Sequence, residues 1–218
     1  MRLLPNSVCK VFAGGLMLAL LGGCQSAYYG AMEKVGYAKR DILVDRVEAA
    51  AETQQEVQEE VQVAYEAFNA LLNLESSDLE ARYEALNDAY EDSRDKADEL
   101  SERVAAIESV ADALFDEWQE ELGQYSSQSL RASSAAKLKD TKRRYAQYLK
   151  SLKRSEARVE PVLAVFKDHV LFLKHNLNAE KVSALKGEVR RFDGDVQRLI
   201  SEMDKSIADA KAFVKELE

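Results

Sequence analysis

Side chains suited to chemistry are few in this chain, since its 218 residues include two cysteines and two histidines. His169 and His175 stand six positions apart, about 120° around a helix, so they cannot share a metal ion as an i, i+4 pair does. The DGD triplet at 193–195 begins like a calcium loop, but Arg198 and Asp204 occupy the places of its glycine and glutamate. We therefore predict no metal site, no cofactor and no enzymatic activity.

Cys24 is the reactive residue whose surroundings are informative. Arg2 and Lys10 supply positive charge before an apolar run at 11–21, and no acidic residue precedes Glu33. This order is typical of an export signal. The run is also too short for a transmembrane helix, which needs about 20 apolar residues.

Leu21-Gly22-Gly23-Cys24 resembles the lipobox of bacterial lipoproteins. The resemblance implies that residues 1–23 are removed by cleavage between Gly23 and Cys24, and that Cys24 then carries a diacylglyceryl group and an N-acyl chain. Two or more acyl chains hold a protein stably on a membrane. Gln25 in place of an aspartate resembles the signal for the outer membrane of Gram-negative cells, with the inner membrane as the alternative. A signal peptide that ends in cysteine by chance and an uncleaved anchor are the other interpretations.

Residues 24–30 form a predicted linker with a reach of roughly 20 Å, so we expect the folded part to stay near the membrane. Tyrosine rings suit the headgroup zone, and lysine and arginine suit anionic headgroups. The residues that we predict to lie near the membrane on these grounds are Tyr28, Tyr29, Lys34, Lys39 and Arg40. An ordinary helix start is the alternative interpretation.

Apolar residues recur at alternating spacings of three and four along most of the chain after the linker, which is the pattern of a heptad seam. The pattern predicts four helices at about 31–73, 78–123, 128–175 and 179–217, with Asn178 as an N-cap. Short turns between helices of similar length favour an elongated antiparallel four-helix bundle, or coiled coil, with up-down-up-down order. We predict that 31–218 is one all-α domain.

Two positions within these predicted helices need separate comment. Pro161 falls inside the third helix, so we expect a kink there or two abutting helices. The seam of the second helix is predicted to run from Leu79 to Tyr125, and Glu121 interrupts its spacing.

Charge is distributed unevenly. Residues 41–125 hold 25 acidic and 5 basic residues, whereas 126–192 hold 16 basic and 6 acidic ones. In one interpretation the basic third helix faces acidic neighbours within the molecule through Lys137, Lys142, Arg144 and Arg158. In the other, an outward face binds an anionic lipid, lipopolysaccharide or cell-wall polymer through Lys139, Arg143, Lys150, Lys153 and Arg154. The net charge of −9 disfavours nucleic acid as a partner.

Small residues recur every seven positions on the fourth predicted helix, on the face opposite its seam. They are Gly187, Gly194, Ser201 and Ala208. Such a stripe would let a helix of another protein, or of a second copy, approach closely. Chance placement on the surface is the alternative.

Three stretches resemble a family of helical proteobacterial lipoproteins known as domain of unknown function 2959. They are YYGAMEKVGYAKRDILVDRV at 28–47, ALFDEWQEELGQYS at 113–126 and VLFLKHNLNA at 170–179. The resemblance covers nearly all of the chain after the export signal and implies a Gram-negative origin. It implies no activity and no site residues.

These observations lead to two hypotheses of different classes. The first is a non-catalytic scaffold or adaptor in the periplasm, anchored to the outer membrane, that engages an envelope protein or a second copy of itself. The second is a binding module for an anionic lipid or polymer through the basic third helix. The sequence identifies no small-molecule substrate.

Overall fold

The structure is a computed structural model that describes residues 39–72, 79–187 and 189–217. Its α-helices are α1 (Lys39–Leu72), α2 (Leu79–Glu121), α3 (Gln128–Glu156), α4 (Val159–His175), α5 (Ala179–Ala184) and α6 (Val189–Leu217). The 3-10 segments Leu122–Gln124 and Leu185–Gly187 follow α2 and α5. These ranges contain no strand, so the predicted all-helical class is confirmed.

The predicted seam of α1 is buried along its whole length. Its members are Leu43, Val47, Ala50, Gln54, Val57, Val61, Ala64, Phe68 and Leu71. Removing apolar surface from water stabilises a fold by about 25 cal/mol per Å². This helix is therefore held mainly by its apolar stripe.

The seam of α2 ends earlier than the spacing predicts. Leu114 is buried and Trp118 is half-buried, but Tyr125 is 41% exposed. The α-helix ends at Glu121, and the backbone at Tyr125 is extended, with φ −69° and ψ 123°. The prediction that Tyr125 belongs to the seam is wrong, because this residue no longer follows the helical period.

The third predicted helix is divided into α3 and α4 by a turn at Ala157 and Arg158. Pro161 is the third residue of α4, a position where no helical hydrogen bond is lost because the first amides of a helix have no partner within it. Ser155 and Val159 are both buried on either side of the turn. The buried face therefore continues from one helix to the next.

The fourth predicted helix is also divided, into α5, a 3-10 segment and α6. The side chain of Asn178 accepts a hydrogen bond from the Lys181 amide at 3.1 Å, which confirms the predicted N-cap. Gly187 ends the 3-10 segment, so it does not share a continuous α-helix with Gly194. A glycine is about 1 kcal/mol less favourable than alanine inside a helix, which agrees with an interruption here.

Contacts between α1 and α2 pair the beginning of one helix with the end of the other. Lys39 Nζ lies 3.0 Å from Glu117 Oε2, and Lys96 Nζ lies 2.8 Å from Glu56 Oε2. The two helices therefore run in opposite directions along their contact.

The last helix, α6, packs against both α1 and α3. On α1, the Tyr65 hydroxyl donates to Asp193 Oδ1 at 2.8 Å, and Gln58 Nε2 donates to Asp204 Oδ1 at 3.0 Å. On α3, Arg154 Nη2 donates to Glu202 Oε1 at 2.8 Å. These contacts join α6 to helices that are far from it in sequence and cover the interior on that side.

The interior includes an aromatic cluster and a polar link. Phe166 meets Phe192 edge-to-face at 4.5 Å between ring centroids, and His169 stacks on Phe68 at 4.4 Å. Gln54 Nε2 of α1 donates to Ser155 Oγ of α3 at 2.7 Å, and both residues are buried. The link joins α1 to α3 across the middle of the interior.

Candidate functional site

The predicted lipidation and cleavage site at Gly23 and Cys24 lies outside the described residues, as do Tyr28, Tyr29 and Lys34. Two cations of the predicted membrane-proximal set are described. Lys39 pairs with Glu117 at 3.0 Å. Arg40 Nε lies 3.5 Å from Asp41 Oδ1, and both side chains are half exposed. Both cations therefore already have acidic neighbours in the chain.

Three cations of the predicted anion-binding face pair with acids of this chain. Lys153 Nζ donates to Glu108 of α2 at 2.6 Å, and Arg154 donates to Glu202 of α6 at 2.8 Å. Arg143 pairs with Asp140 within α3. For Lys139 and Lys150, both exposed, no acidic partner is seen among the described residues.

The cations that the sequence assigns to intramolecular pairing also have internal partners. Arg144 Nη1 lies 3.3 Å from Glu216 Oε1, and Arg158 Nε lies 3.6 Å from Glu202 Oε1. Lys137 Nζ donates to a backbone oxygen of α6 at 3.4 Å, and Lys142 Nζ lies 5.4 Å from the centre of the Phe115 ring. Three cations of α3, Arg144, Lys153 and Arg154, therefore pair with acids of α2 and α6.

A basic cleft remains between α3 and α6, with a volume of about 380 Å³. It is lined by Gln147, Lys150, Ser151, Arg154, Lys205 and Asp209. Lys205 Nζ lies 3.0 Å from Asp209 Oδ2. Burial alone would raise the pKa of Asp209, but hydrogen bonds from Ser151 and Lys205 lower it. The cleft thus holds one carboxylate among three cations, and only Lys150 is without an acidic neighbour among the described residues.

Tyr148 lines a separate, smaller pocket that shares Gln147 and Asp209 with this cleft. Its side chain is 1% exposed, and its ring stacks on Phe213 at 5.6 Å between centroids. Burial raises the pKa of its hydroxyl. This hydroxyl has no hydrogen-bond partner in the described part of the chain.

A second cleft, of about 720 Å³, lies between α1 and α6. Its apolar floor consists of Val47, Ala51, Ile207, Ala210 and Val214. Its rim carries Glu48, Glu52 and Gln55 on the α1 side and Lys211 and Lys215 on the α6 side. We call it the α1–α6 cleft. An apolar floor between an acidic and a basic wall is suited to an amphipathic helix of opposite charge arrangement.

The small-residue stripe stays a prediction. A Cβ atom added at Gly187 would meet nothing within 4 Å, and one at Gly194 would meet only Arg198 Nη2, at 3.7 Å. Ser201 and Ala208 are exposed. Within the described chain, nothing packs tightly on the two glycines.

Ranges 39–72, 79–187 and 189–217 contain no group of three or more His, Cys, Asp or Glu side chains that could hold a metal ion. In those ranges we also find no helix with the length and apolar character needed to cross a bilayer.

Lys205 and Asp209 of the basic cleft, and Tyr148 of the neighbouring pocket, were not predicted as site residues. Tyr148 follows the spacing of the core residues, and its side chain is indeed buried. Lys205 and Asp209 are four residues apart on one helix face, a visible signal of a local ion pair. Their position beside Lys150 depends on the packing of α3 against α6, which no local pattern specifies.

These features define an all-helical protein whose described clefts open between neighbouring helices. The family model described as protein of unknown function DUF2959 matches residues 28–217. The chain therefore belongs to the DUF2959 family, as its resemblance implies. A comparison with curated proteins found no match.

Proposed function

We propose that this protein is a non-catalytic helical scaffold or adaptor, held on the periplasmic face of the outer membrane of a Gram-negative cell by lipid on Cys24. The inner membrane is the alternative location. The observation that carries the adaptor role is the α1–α6 cleft, which combines an apolar floor with walls of opposite charge. Such a surface favours the recognition of another helix.

The proposed architecture is an elongated antiparallel four-helix bundle in up-down-up-down order. In it, α3 and α4 form one column with a bend near Pro161. The opposed contacts of Lys39 with Glu117 and of Lys153 with Glu108 support this arrangement. A long bundle offers continuous outer faces, which suits a scaffold.

The occupant that we propose for the α1–α6 cleft is an amphipathic helix of an envelope protein. Its apolar stripe would cover the floor around Ala51 and Val214, with a basic flank toward Glu48 and an acidic flank toward Lys211. This arrangement places unlike charges together on both sides, which favours one orientation of the helix over its reverse.

A photo-crosslinking experiment tests this adaptor role. A photoreactive amino acid at Gln55, on the rim of the cleft, is expected to crosslink one envelope protein in living cells, and Ala51→Arg is expected to abolish that product by blocking the floor. The same probe at Glu91, on the exposed surface of α2, is the control. A crosslink to a second copy of the chain, or none, would overturn the proposed adaptor role.

The proposed lipid anchor on Cys24 can be tested separately from the adaptor role. Cys24→Ser is expected to abolish acylation and, because the lipobox loses its cysteine, to leave residues 1–23 on the chain, so that the apolar run 11–21 replaces the acyl chains as the membrane anchor. Fractionation followed by mass spectrometry of the mature N-terminus measures both location and acylation. A wild-type protein without lipid on Cys24 would contradict the anchor.

A second candidate function is the binding of an anionic lipid, lipopolysaccharide or cell-wall polymer. The basic cleft supports it, because Lys150, Arg154 and Lys205 line one volume. Lys150→Glu is expected to weaken binding of purified lipopolysaccharide several-fold by reversing one charge, and added salt is expected to weaken wild-type binding. Lys211→Glu, in the other cleft, is the matched control. Equal binding by both variants and the wild type would exclude this site.

A further inference from the structure

The turn between α2 and α3 exposes apolar side chains to an unusual extent. Leu130 is 59% exposed, the largest value among the exposed large hydrophobic residues of the described chain, and Tyr125 is 41% exposed. They flank the N-cap of α3 at Ser127, whose hydroxyl accepts a hydrogen bond from the Leu130 amide at 3.4 Å. The cap fixes the start of the helix beside these two side chains.

The same part of the chain is free of acidic residues. Residues 122–139 contain no aspartate or glutamate, although the whole chain contains 39 of them. The segment carries Arg131, Lys137 and Lys139, and all three side chains are exposed. Acidic residues return directly outside it, with Glu120 and Glu121 before and Asp140 after. Positive charge therefore lies beside exposed apolar groups at this turn and in the first turns of α3, within a segment that has no acidic side chain.

This turn lies at the end of the fold where the chain enters α1. Lys39, the first residue of α1, contacts Glu117 at 3.0 Å, and Glu117 lies in the last turns of α2. Residues 122–139 follow directly. The lipid that we propose on Cys24 is separated from Lys39 by residues 25–38, a reach of at most about 50 Å. The turn and the start of α1, from which the chain leads back to the proposed anchor, thus lie at the same end of the described fold.

We propose that the segment 122–139 is a second membrane contact, which binds the surface of an anionic phospholipid bilayer beside the lipid anchor. Tyr125 and Leu130 enter the headgroup region, where a tyrosine ring and an aliphatic chain are both favourable. Arg131 and Lys139 are attracted by the negative surface potential. This contact rests on the proposed anchor, because the tether supplies the high local concentration that makes a weak contact effective.

The contact would orient the protein, which a lipid tether alone does not. An anchor on a linker allows the helices to lie down or to stand at many angles. A second contact at the same end favours a molecule that stands with this end on the bilayer. The two clefts, which lie between the helices, would then face sideways toward other envelope components.

A single-cysteine fluorescence experiment tests the proposal on the lipidated protein. Cys9 lies in the segment predicted to be removed and Cys24 would be acylated, so Leu130→Cys introduces the one free thiol. An environment-sensitive dye on that thiol is expected to shift to the blue when the protein is placed in vesicles of phosphatidylcholine with phosphatidylglycerol. A quencher attached to lipid headgroups is expected to quench it.

Val63→Cys is the matched control. Val63 is also apolar and is 50% exposed, but it lies 24 residues along α1 from Lys39, about 36 Å at the rise of an α-helix. Its dye is expected to keep the spectrum seen in solution. Adding Arg131→Glu to Leu130→Cys is expected to reduce the quenching several-fold in anionic vesicles, and to have less effect in pure phosphatidylcholine.

The outcomes separate this proposal from the anchor on which it rests. A protein that is acylated at Cys24 and bound to vesicles, but with equal dye signals at positions 130 and 63, would overturn the second contact alone. A protein without acylation and without vesicle binding would overturn the anchor. Circular dichroism of each labelled variant shows whether it is folded.

Discussion

We expect Phe192→Ala to lower the free energy of unfolding by about 3 to 5 kcal/mol, the range typical of removing a buried aromatic side chain. Phe192 is 2% exposed. Its ring contacts Phe166 of α4 at 4.5 Å and Phe68 of α1 at 6.0 Å between centroids, both edge-to-face. The substitution therefore leaves a cavity where three helices meet. Urea denaturation followed by far-ultraviolet circular dichroism measures the loss.

Phe172→Ala is the control for this substitution, since it makes the same chemical change on α4 at a side chain that is 36% exposed. We expect it to cost less than about 1 kcal/mol, because solvent occupies the space that the ring leaves. Equal losses in the two variants would contradict the packing of α6 against α1 and α4.

Alkaline pH is expected to destabilise the protein through Tyr148. Burial raises the pKa of Tyr148 in the folded state, whereas in the unfolded chain a tyrosine ionises near pH 10. The folded state therefore keeps a proton that the unfolded state releases. Stability from this residue is complete below about pH 10 and falls as the pH rises toward the folded-state pKa, by about 1.4 kcal/mol per pH unit.

Tyr148→Phe is expected to remove this part of the pH dependence. It is also expected to leave stability at pH 7 equal or higher, because the hydroxyl that is removed is buried and has no hydrogen-bond partner within the described residues. Burial also raises the pKa of Tyr145, so the stability of the variant is still expected to fall with rising pH through that residue. Tyr125→Phe, on the exposed turn, is the control. Parallel curves of stability against pH for the wild type and Tyr148→Phe would contradict this assignment.

The all-helical class could be predicted from the sequence because the apolar residues recur with the period of a helix, and residues with that period are buried. Every predicted seam residue of α1 from Leu43 to Leu71 is buried, since an apolar stripe with this spacing lies on one helix face. The period does not locate interruptions. The 3-10 segment before α6 and the extended backbone at Tyr125 are local turns that the spacing of apolar residues does not reveal.

The candidate surfaces were less predictable than the helices. The sequence separates acidic from basic helices, but the choice between internal pairing and an outward face depends on which helices touch. Lys153 meets Glu108 from 45 residues away, and Arg154 meets Glu202 from 48 residues away. Lys150 lies one helical turn from Lys153 and Arg154, but it has no acidic partner among the described residues. Long-range packing, and not composition, separates paired from unpaired cations.

The placement of α6 has a consequence for how the chain matures. Its bonds to α1 span 128 to 146 residues, and it is synthesised after the other described helices. Until it docks, the apolar stripes of α1 and α3 lack their cover and can associate with other unfinished chains. We expect newly made protein to need a chaperone that holds unfolded chains until α6 has been made and has docked.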